Sequence, residues 1–440
     1  MSLSWSDAVS GLAPGPGPGL FRPRGDRSIA GILPTAFERI GLDPGPFACR
    51  LPDSLATDRI YKKLFFCLID SLGFDDLLER DGLLTRWVSE RGGWVTSVFP
   101  SITSSAISSI LHGVPPARHG ILGHKVWSRQ ARGIVDMLTL KLDGQSVPLP
   151  DTGVDVTSWT RTQSLLSSRT VGAVPCFHVT ARELLGSGLS SFIYPSNVQR
   201  VGYYSMIEGL SKVRRLLERE DRAVVSFYTS TIDGASHVFG KRSPEFAYQL
   251  AELERALQWM VSGMSAKTRG ETLFALASDH GQCLFEPAKA WRLSFDRQRL
   301  YGHWSEPPIA GRPHGFGHSG RVMHLYGQGD PPAELAETLA RDVEGLGVVL
   351  SSAEASELAG RAPDEPLGSL EDELGARVVV LQAGAYLDLE VGPERQQASA
   401  RNLDQLLSNH GSLTAEELLV PTVIAGLDEL EVGEKVEGRR

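Results

Sequence analysis

Cysteine is scarce: Cys49, Cys67, Cys176 and Cys283 are the four in 440 residues, and no two form a CxxC pair. Neither a zinc ribbon nor a disulfide framework follows from that spacing. Cys67, inside an apolar run, reads as a buried, inert thiol. Long apolar runs are also missing. None approaches the roughly 18 residues that a membrane span requires, and no basic segment followed by an apolar core marks a secretory signal at the N-terminus. The expectation is a cytoplasmic protein with no membrane partner. Excess positive charge is lacking too. Lys and Arg total 44 against 53 Asp and Glu, for a net charge of −9, which argues against a broad nucleic-acid surface. A small phosphorylated substrate stays open, because bound cations can invert the local field. There is no internal repeat.

What the chain does have is an ordinary globular composition, 41% hydrophobic and 22% charged, and enough length for one large α/β domain or two smaller ones. Gly-Pro repeats at 13–19 make residues 1–28 read as a flexible arm. Leu64–Ile69 is a continuous apolar run, as expected of a strand covered on both faces. Asp75–Arg91 reads as one amphipathic helix, Val95–Phe99 as a strand, and Thr103–Leu111 as a helix stopped by Gly113. Residues 128–222 read as an inserted cap, part of it returning to the core, with strand candidates at Val171–Val174 and Ser191–Tyr194 and a helix at Met206–Glu220. Buried strands are expected at Ala223–Tyr228 and Thr272–Ala277, with a long helix, Ser243–Met264, between them. Arg321–Tyr326 and Val348–Leu350 read as strands on either side of a helix at Pro332–Leu346. Arg377–Gln382 reads as a strand with a hairpin partner near Tyr386–Leu389, Ala415 as the start of an apolar helix, and residues 426–440 as a solvated acidic tail. The alternation predicts a three-layer α/β/α sandwich around a mostly parallel sheet, in one domain spanning 29–425.

In such sheets function collects at the carboxyl ends of strands. Asp70, Ser101–Thr103, Asp233 and Asp279-His280 all fall just after expected strands. Aspartate oxygens and imidazole nitrogens suit zinc. Asp233 and His237 converge if their segment is helical. A threonine hydroxyl is a poor nucleophile when free but a good one beside a divalent cation. Thr103 also stands at a helix start, where backbone N–H groups favour a phosphate; its neighbours Ser104 and Ser105 read as helix caps. Two cations about 4 Å apart would suit in-line phosphoryl transfer.

These residues carry a resemblance. Asp70 after an apolar strand, Pro100-Ser-Ile-Thr103, Gly113, Pro116-Ala-Arg-His119-Gly120-Ile121, Asp233-Gly-Ala-Ser-His237, Ser278-Asp279-His280-Gly281 and Asn409-His410-Gly411 resemble, in order, the type I phosphodiesterase/nucleotide pyrophosphatase branch of the alkaline phosphatase superfamily. The resemblance covers about half the chain, at 62–127, 223–282 and 375–422. It implies an α/β sandwich with two zinc ions. Asp233, His237 and His410 would hold one, and Asp70, Asp279, His280 and the Thr103 oxygen the other. Thr103 would form a covalent phosphothreonine that water hydrolyses. His303, His314, His318 and His324 compete with His410, and Pro313-His314-Gly315 also resembles a ligand loop. His410 is preferred because it follows a strand pair and opens a helix late in the chain.

One position departs from the pattern. Diesterases of the family carry an Asn 21 residues after the nucleophile, where it contacts a phosphate oxygen; here that position is His124. The donor is then an imidazole or absent, and an imidazole would suit a more anionic group. The implied function is a phosphodiesterase or nucleotide pyrophosphatase acting on a small phosphate diester. A phosphomonoesterase or a phosphonoacetate-type hydrolase on the same scaffold are the alternatives, and a catalytically silent binding member is the alternative of another kind. Phe74, Trp127, Tyr203 and Tyr204 are candidates for an aromatic nucleoside pocket. The sequence carries no sign of oligomeric state.

Overall fold

The computed structural model describes residues 4–78, 80–186, 188–302, 316–327, 331–392 and 406–432. Its centre is a seven-stranded sheet. Four of its strands carry or flank the site: Lys63–Ile69 (β1), Ala223–Thr229 (β2), Thr272–Ser278 (β3) and Leu419–Gly426 (β4). Across the sheet the order is Gly92–Thr96, β4, β3, β1, β2, Cys176–Ala181, Val198–Tyr203. β4 runs antiparallel to both its neighbours, and the remaining pairings are parallel.

Every residue of β1 is buried, which is why it reads as an unbroken apolar run. Leu64, Phe66 and Leu68 pack on one face, Phe65, Cys67 and Ile69 on the other. Each large side chain buried this way contributes roughly 1.5–3 kcal/mol. The helix Thr103–His112 (α1) and Ile32–Glu38 cover the first face, while Met206–Arg219, Pro244–Ser262 and Leu83–Arg91 cover the second. The three-layer sandwich is as expected. β1, β2 and β3 are in flush register: Ile69 pairs with Thr229 on one side and Ser278 on the other. The residues that follow all three therefore emerge at one edge.

A second seven-stranded sheet, antiparallel throughout, joins Lys125–Ser128, Gly133–Asp136 and Lys141–Leu142 to Phe316–Ser319, Val322–Leu325, Arg377–Leu381 and Gly347–Ser351. The expected insertion at 128–222 is thus divided. Its first part adds two strands, Gly133–Asp136 and Lys141–Leu142, to this sheet, and a later part supplies two strands of the central one.

Several expectations need correcting. Residues 4–28 are packed rather than a loose arm: Trp5–Ser10 is helical, the Gly-Pro run forms the turn of a short hairpin, and Ala8, Leu12 and Leu20 are buried. The segment is held by Phe21 N–H to Leu413 O at 2.8 Å and Thr96 N–H to Arg27 O at 2.7 Å. Asp75–Arg91 forms two helices, Asp75–Leu78 and Leu83–Arg91, since Gly82 interrupts it. Val171–Val174 and Ser191–Tyr194 are not strands; Ser168–Val171 and Gly188–Ile193 are helical. The helix at Ala415 lasts one turn, to Leu418, and its apolar continuation is β4. Tyr386–Leu389 pairs in parallel with Ala290–Leu293 and not with Arg377–Leu381. Of the expected tail, Leu427 and Leu430 are buried, and the Trp87 indole donates to Glu431 O at 2.7 Å; positions 433–440 lie outside the described residues.

Candidate metal centre

Asp70 follows the last residue of β1 and Asp279 the last of β3. Both are at most 2% exposed. Asp279 Oδ1 accepts the N–H groups of Ser71 and His280, each at 3.0 Å. Among the described residues, Asp279 Oδ2 and Asp70 Oδ1 are buried and have no hydrogen-bond partner. His280 Nε2 faces both, 3.3 Å from Asp279 Oδ2 and 3.6 Å from Asp70 Oδ1. The hydroxyl of Thr103, first residue of α1, lies 3.1 Å from the same Nε2.

Asp233 and His237 lie one turn apart on the helix Thr231–Phe239 (α2), which starts directly after β2. The spacing puts both on one face. His237 Nε2 is 3.2 Å and His410 Nε2 3.7 Å from Asp233 Oδ1. The ring of His410 stacks on that of His280 at 3.6 Å, so the two triads adjoin. His410 is fixed from behind: its carbonyl accepts Arg321 N–H at 2.9 Å, and Arg321 forms a buried ion pair with Glu417. At the next position φ is +117°, and a Cβ would collide with the Ser319 carbonyl, so only glycine fits at 411.

All seven residues expected as metal ligands or nucleophile are therefore brought together at one sheet edge. Within each triad the ligand atoms lie within 4.8 Å of one another. The donor set fits a divalent cation. Each of the three imidazoles has Nδ1 against a backbone carbonyl: His237 to Ser408 at 2.9 Å, His410 to Ser101 at 3.1 Å, His280 to Gly281 at 3.2 Å. That fixes the tautomer and leaves Nε2 as the donor atom. Two buried carboxylate oxygens without a hydrogen-bond partner among the described residues fit a cation between them.

The electrostatics agree. Burial, then the charges of Asp279 and Asp233, push the Asp70 carboxyl well above the usual range, and burial raises Asp279 against the pull of His280. For Asp233, burial is outweighed by the hydrogen bond and charge of His237, and its carboxyl sits below the usual range. Burial and the neighbouring His280 hold the His410 ring well below its usual value.

The other sequence candidates lie elsewhere. His124 has its ring 3.5 Å from Asp136 Oδ1. Its backbone is near the start of α1, since Ser104 donates to Gly123 O at 2.7 Å. Ser104 is thus no cap, and α1 has no side-chain cap bond at all. His318 and His324 belong to the second sheet, His324 bonded to Ser319 and Leu374. His303, His314 and the Pro313-His314-Gly315 loop lie outside the described residues.

Sequence reasoning missed Tyr228, whose hydroxyl donates to Asp70 Oδ2, and Gln282, whose amide donates to Asp233 Oδ1 at 2.8 Å. Each carried a signal, Tyr228 closing an apolar strand and Gln282 following Asp279-His280-Gly281. It also missed a cleft of about 790 Å³ beside Asp70, Thr103 and Asp233. His178, Thr180, Tyr194 and Leu138–Lys141 line it. Of the four aromatic candidates none does: Phe74 is in the core, Tyr203 stacks on Phe227, Trp127 meets Tyr326, and Tyr204 is 77% exposed. Among the described residues Thr180 Oγ1 is buried without a partner; such a hydroxyl costs ~1–3 kcal/mol.

The model of the family described as type I phosphodiesterase/nucleotide pyrophosphatase matches residues 69–293, just over half of the chain. The chain belongs to that family. It is accordingly a metal-dependent hydrolase acting on phosphoric ester or phosphoanhydride bonds. No curated protein matches it by sequence. Solved structures with the same fold include murine ectonucleotide pyrophosphatase/phosphodiesterase 5, at 15% identity and a TM-score of 0.57, with 82% of this chain and 87% of that one covered. An inactive variant of that protein in complex with AMP gives the same identity and TM-score over 83% and 87%. Phosphonoacetate hydrolase from Sinorhizobium meliloti 1021 in complex with phosphonoformate is 19% identical, with a TM-score of 0.55 over 84% and 90%. Among the described residues no helix is long and apolar enough to cross a membrane.

Proposed function

We propose that this family member is a two-zinc phosphodiesterase or nucleotide pyrophosphatase that cleaves a small phosphate diester through a phosphothreonine at position 103. The observation that carries the reading is the pair of partnerless oxygens, Asp70 Oδ1 and Asp279 Oδ2, beside the Thr103 hydroxyl and against a second Asp-His-His triad. Asp70, Asp279, His280 and the Thr103 oxygen would hold one zinc; Asp233, His237 and His410 would hold the other. When bound, the two cations supply the charge that lets a threonine hydroxyl ionise near neutral pH and that offsets charge on the transferring group.

The chain's own residues do the rest. Tyr228 anchors Asp70, Gln282 anchors Asp233, and the backbone carbonyls behind the three imidazoles fix their orientation. Thr103 Oγ1 attacks phosphorus from the first turn of α1, where helix N–H groups favour the phosphate oxygens. The bond to the esterifying alcohol breaks, and the alcohol leaves with the electron pair and takes up a proton. Water then cleaves the phosphothreonine and restores the hydroxyl.

A diester is favoured over a dianionic monoester because His124 faces Asp136. Even protonated, that pair brings no net positive charge. Purified protein should carry two zinc ions per chain by elemental analysis. It should also hydrolyse 4-nitrophenyl thymidine-5′-phosphate in preference to 4-nitrophenyl phosphate and phosphonoacetate. Absence of bound metal, or preference for the phosphonate, would overturn the reading.

A further inference from the structure

The helix α2, which carries Asp233 and His237, ends at Phe239. Gly240 takes φ +82° and donates its N–H to Ser236 O at 2.8 Å, and Lys241 follows. A lysine just past a helix end ordinarily reaches into solvent beside the negative pole of the dipole. Lys241 is instead 4% exposed, and a lysine is almost never buried without partners. Its ammonium lies 2.7 Å from Asp75 Oδ2 and 3.7 Å from Asp76 Oδ1, and it donates to Gln282 O at 3.0 Å. Burial opposes the charged form, but the charges of Asp76 and Asp75 outweigh it and hold the ammonium above its usual value.

Three segments meet at that nitrogen. Asp75 and Asp76 open the short helix that follows β1 and Asp70; Gln282 follows β3, Asp279 and His280; Lys241 itself follows Asp233 and His237. The segment whose carbonyl it holds is the one that orients the second triad. Gln282 Nε2 donates to Asp233 Oδ1 at 2.8 Å. Gln282 Oε1 accepts the Ser408 hydroxyl, and Ser408 O accepts from His237 Nδ1 at 2.9 Å. Two of the three ligands of that triad are therefore tied to Gln282, directly or through Ser408. The Asp70 side has ties of its own to β3 and Asp279: Ser71 N–H to Asp279 Oδ1 at 3.0 Å and Leu72 N–H to Ser278 Oγ at 2.9 Å. Lys241 does not line the cleft beside Thr103. It lines a separate one of about 490 Å³ with Asp75, Asp76 and Glu416.

We infer that Lys241 is a positioning residue for the metal centre, a buried cation that fixes Gln282 and through it holds Asp233 and His237 ready for the second zinc. It acts without touching substrate. The Asp75–Asp76 pair keeps the ammonium in place, and the bond to Gln282 O passes that constraint to the ligands. The inference rests on the two-metal reading above.

The test is zinc competition titration with a chelator on Lys241→Met and on the double variant Asp75→Asn/Lys241→Met. The melting temperature of each is measured in excess chelator. The single change leaves two buried carboxylates without their cation. The double change removes one of those charges while the bond to Gln282 O stays broken. Lys241→Met should lower the affinity for one of the two zinc ions about 10–100-fold and lower the melting temperature. In the double variant the melting temperature should recover and the zinc affinity should not. On a Gln282→Leu background, Lys241→Met should cost about threefold or less beyond that background, since both changes act along one route. A zinc affinity that is unchanged, or that recovers together with the melting temperature, makes the lysine a structural charge alone and overturns the inference. A full additional loss on the Gln282→Leu background overturns it as well. Absence of zinc from the unmodified protein overturns the two-metal reading, and this role with it.

Discussion

The two triads sit side by side yet differ in charge and exposure. Asp70, Asp279 and His280 are fully buried, with two acids to one imidazole; Asp233, His237 and His410 reverse that ratio, and Asp233 and His237 are partly exposed. The carboxyls respond in opposite directions, raised in the first triad and lowered for Asp233. The second triad can balance much of its own charge. The first holds two acids whose ionised forms burial disfavours, and its hydroxyl neighbour is Thr103. The proposed nucleophile lies on that side.

The largest effect should come from that side. Thr103→Ala is expected to lower kcat on a nitrophenyl diester on the order of 10³-fold or more while elemental analysis still finds metal in both triads. Substantial residual turnover would break the assignment.

Next come the residues that orient a single ligand each. Tyr228→Phe should weaken the buried triad's metal, and Gln282→Leu that of its neighbour, by roughly 10–100-fold in competition titrations with a chelator. Equal loss from both triads in either variant would mean that they do not act separately.

A stability measurement sharpens the contrast. In chelator, Asp279→Asn should raise the unfolding free energy by roughly 1–3 kcal/mol. Its Oδ1 keeps both N–H partners, and a donor replaces the orphaned oxygen facing Asp70. Asp233→Asn should not stabilise, since its carboxylate is already paired with His237. Urea melts of the two variants decide it. The smallest effect is expected at His124→Asn, a change of about fivefold or less in the ratio of diester to monoester turnover, because a partly exposed ion pair is worth little. A larger shift would put the imidazole on the phosphate.

The legible and illegible parts of the sequence divide along the same edge. Asp70 and Asp279 could be read because β1 and β3 are covered on both faces and announce themselves as apolar runs ending in a carboxylate. Cys176–Ala181 is also paired on both sides but is hidden in the sequence, because His178 and Thr180 interrupt the run. The residues that give the strand its role in the cleft are the ones that hide it. β4 was concealed by the single helical turn before it and by Pro421 within it. The pairing of Tyr386–Leu389 with Ala290–Leu293 spans almost a hundred residues and leaves no local trace. Tyr228 and Gln282 matter only through the carboxylates they touch, which spacing along the chain does not reveal.

The central claim is a two-metal centre built from these two triads. It is tested most directly by anomalous diffraction at the zinc edge from crystals of the zinc-loaded protein. The account predicts two peaks, one within bonding distance of Asp70, Asp279 and His280 and the other of Asp233, His237 and His410. A single peak, or peaks away from these side chains, would contradict it.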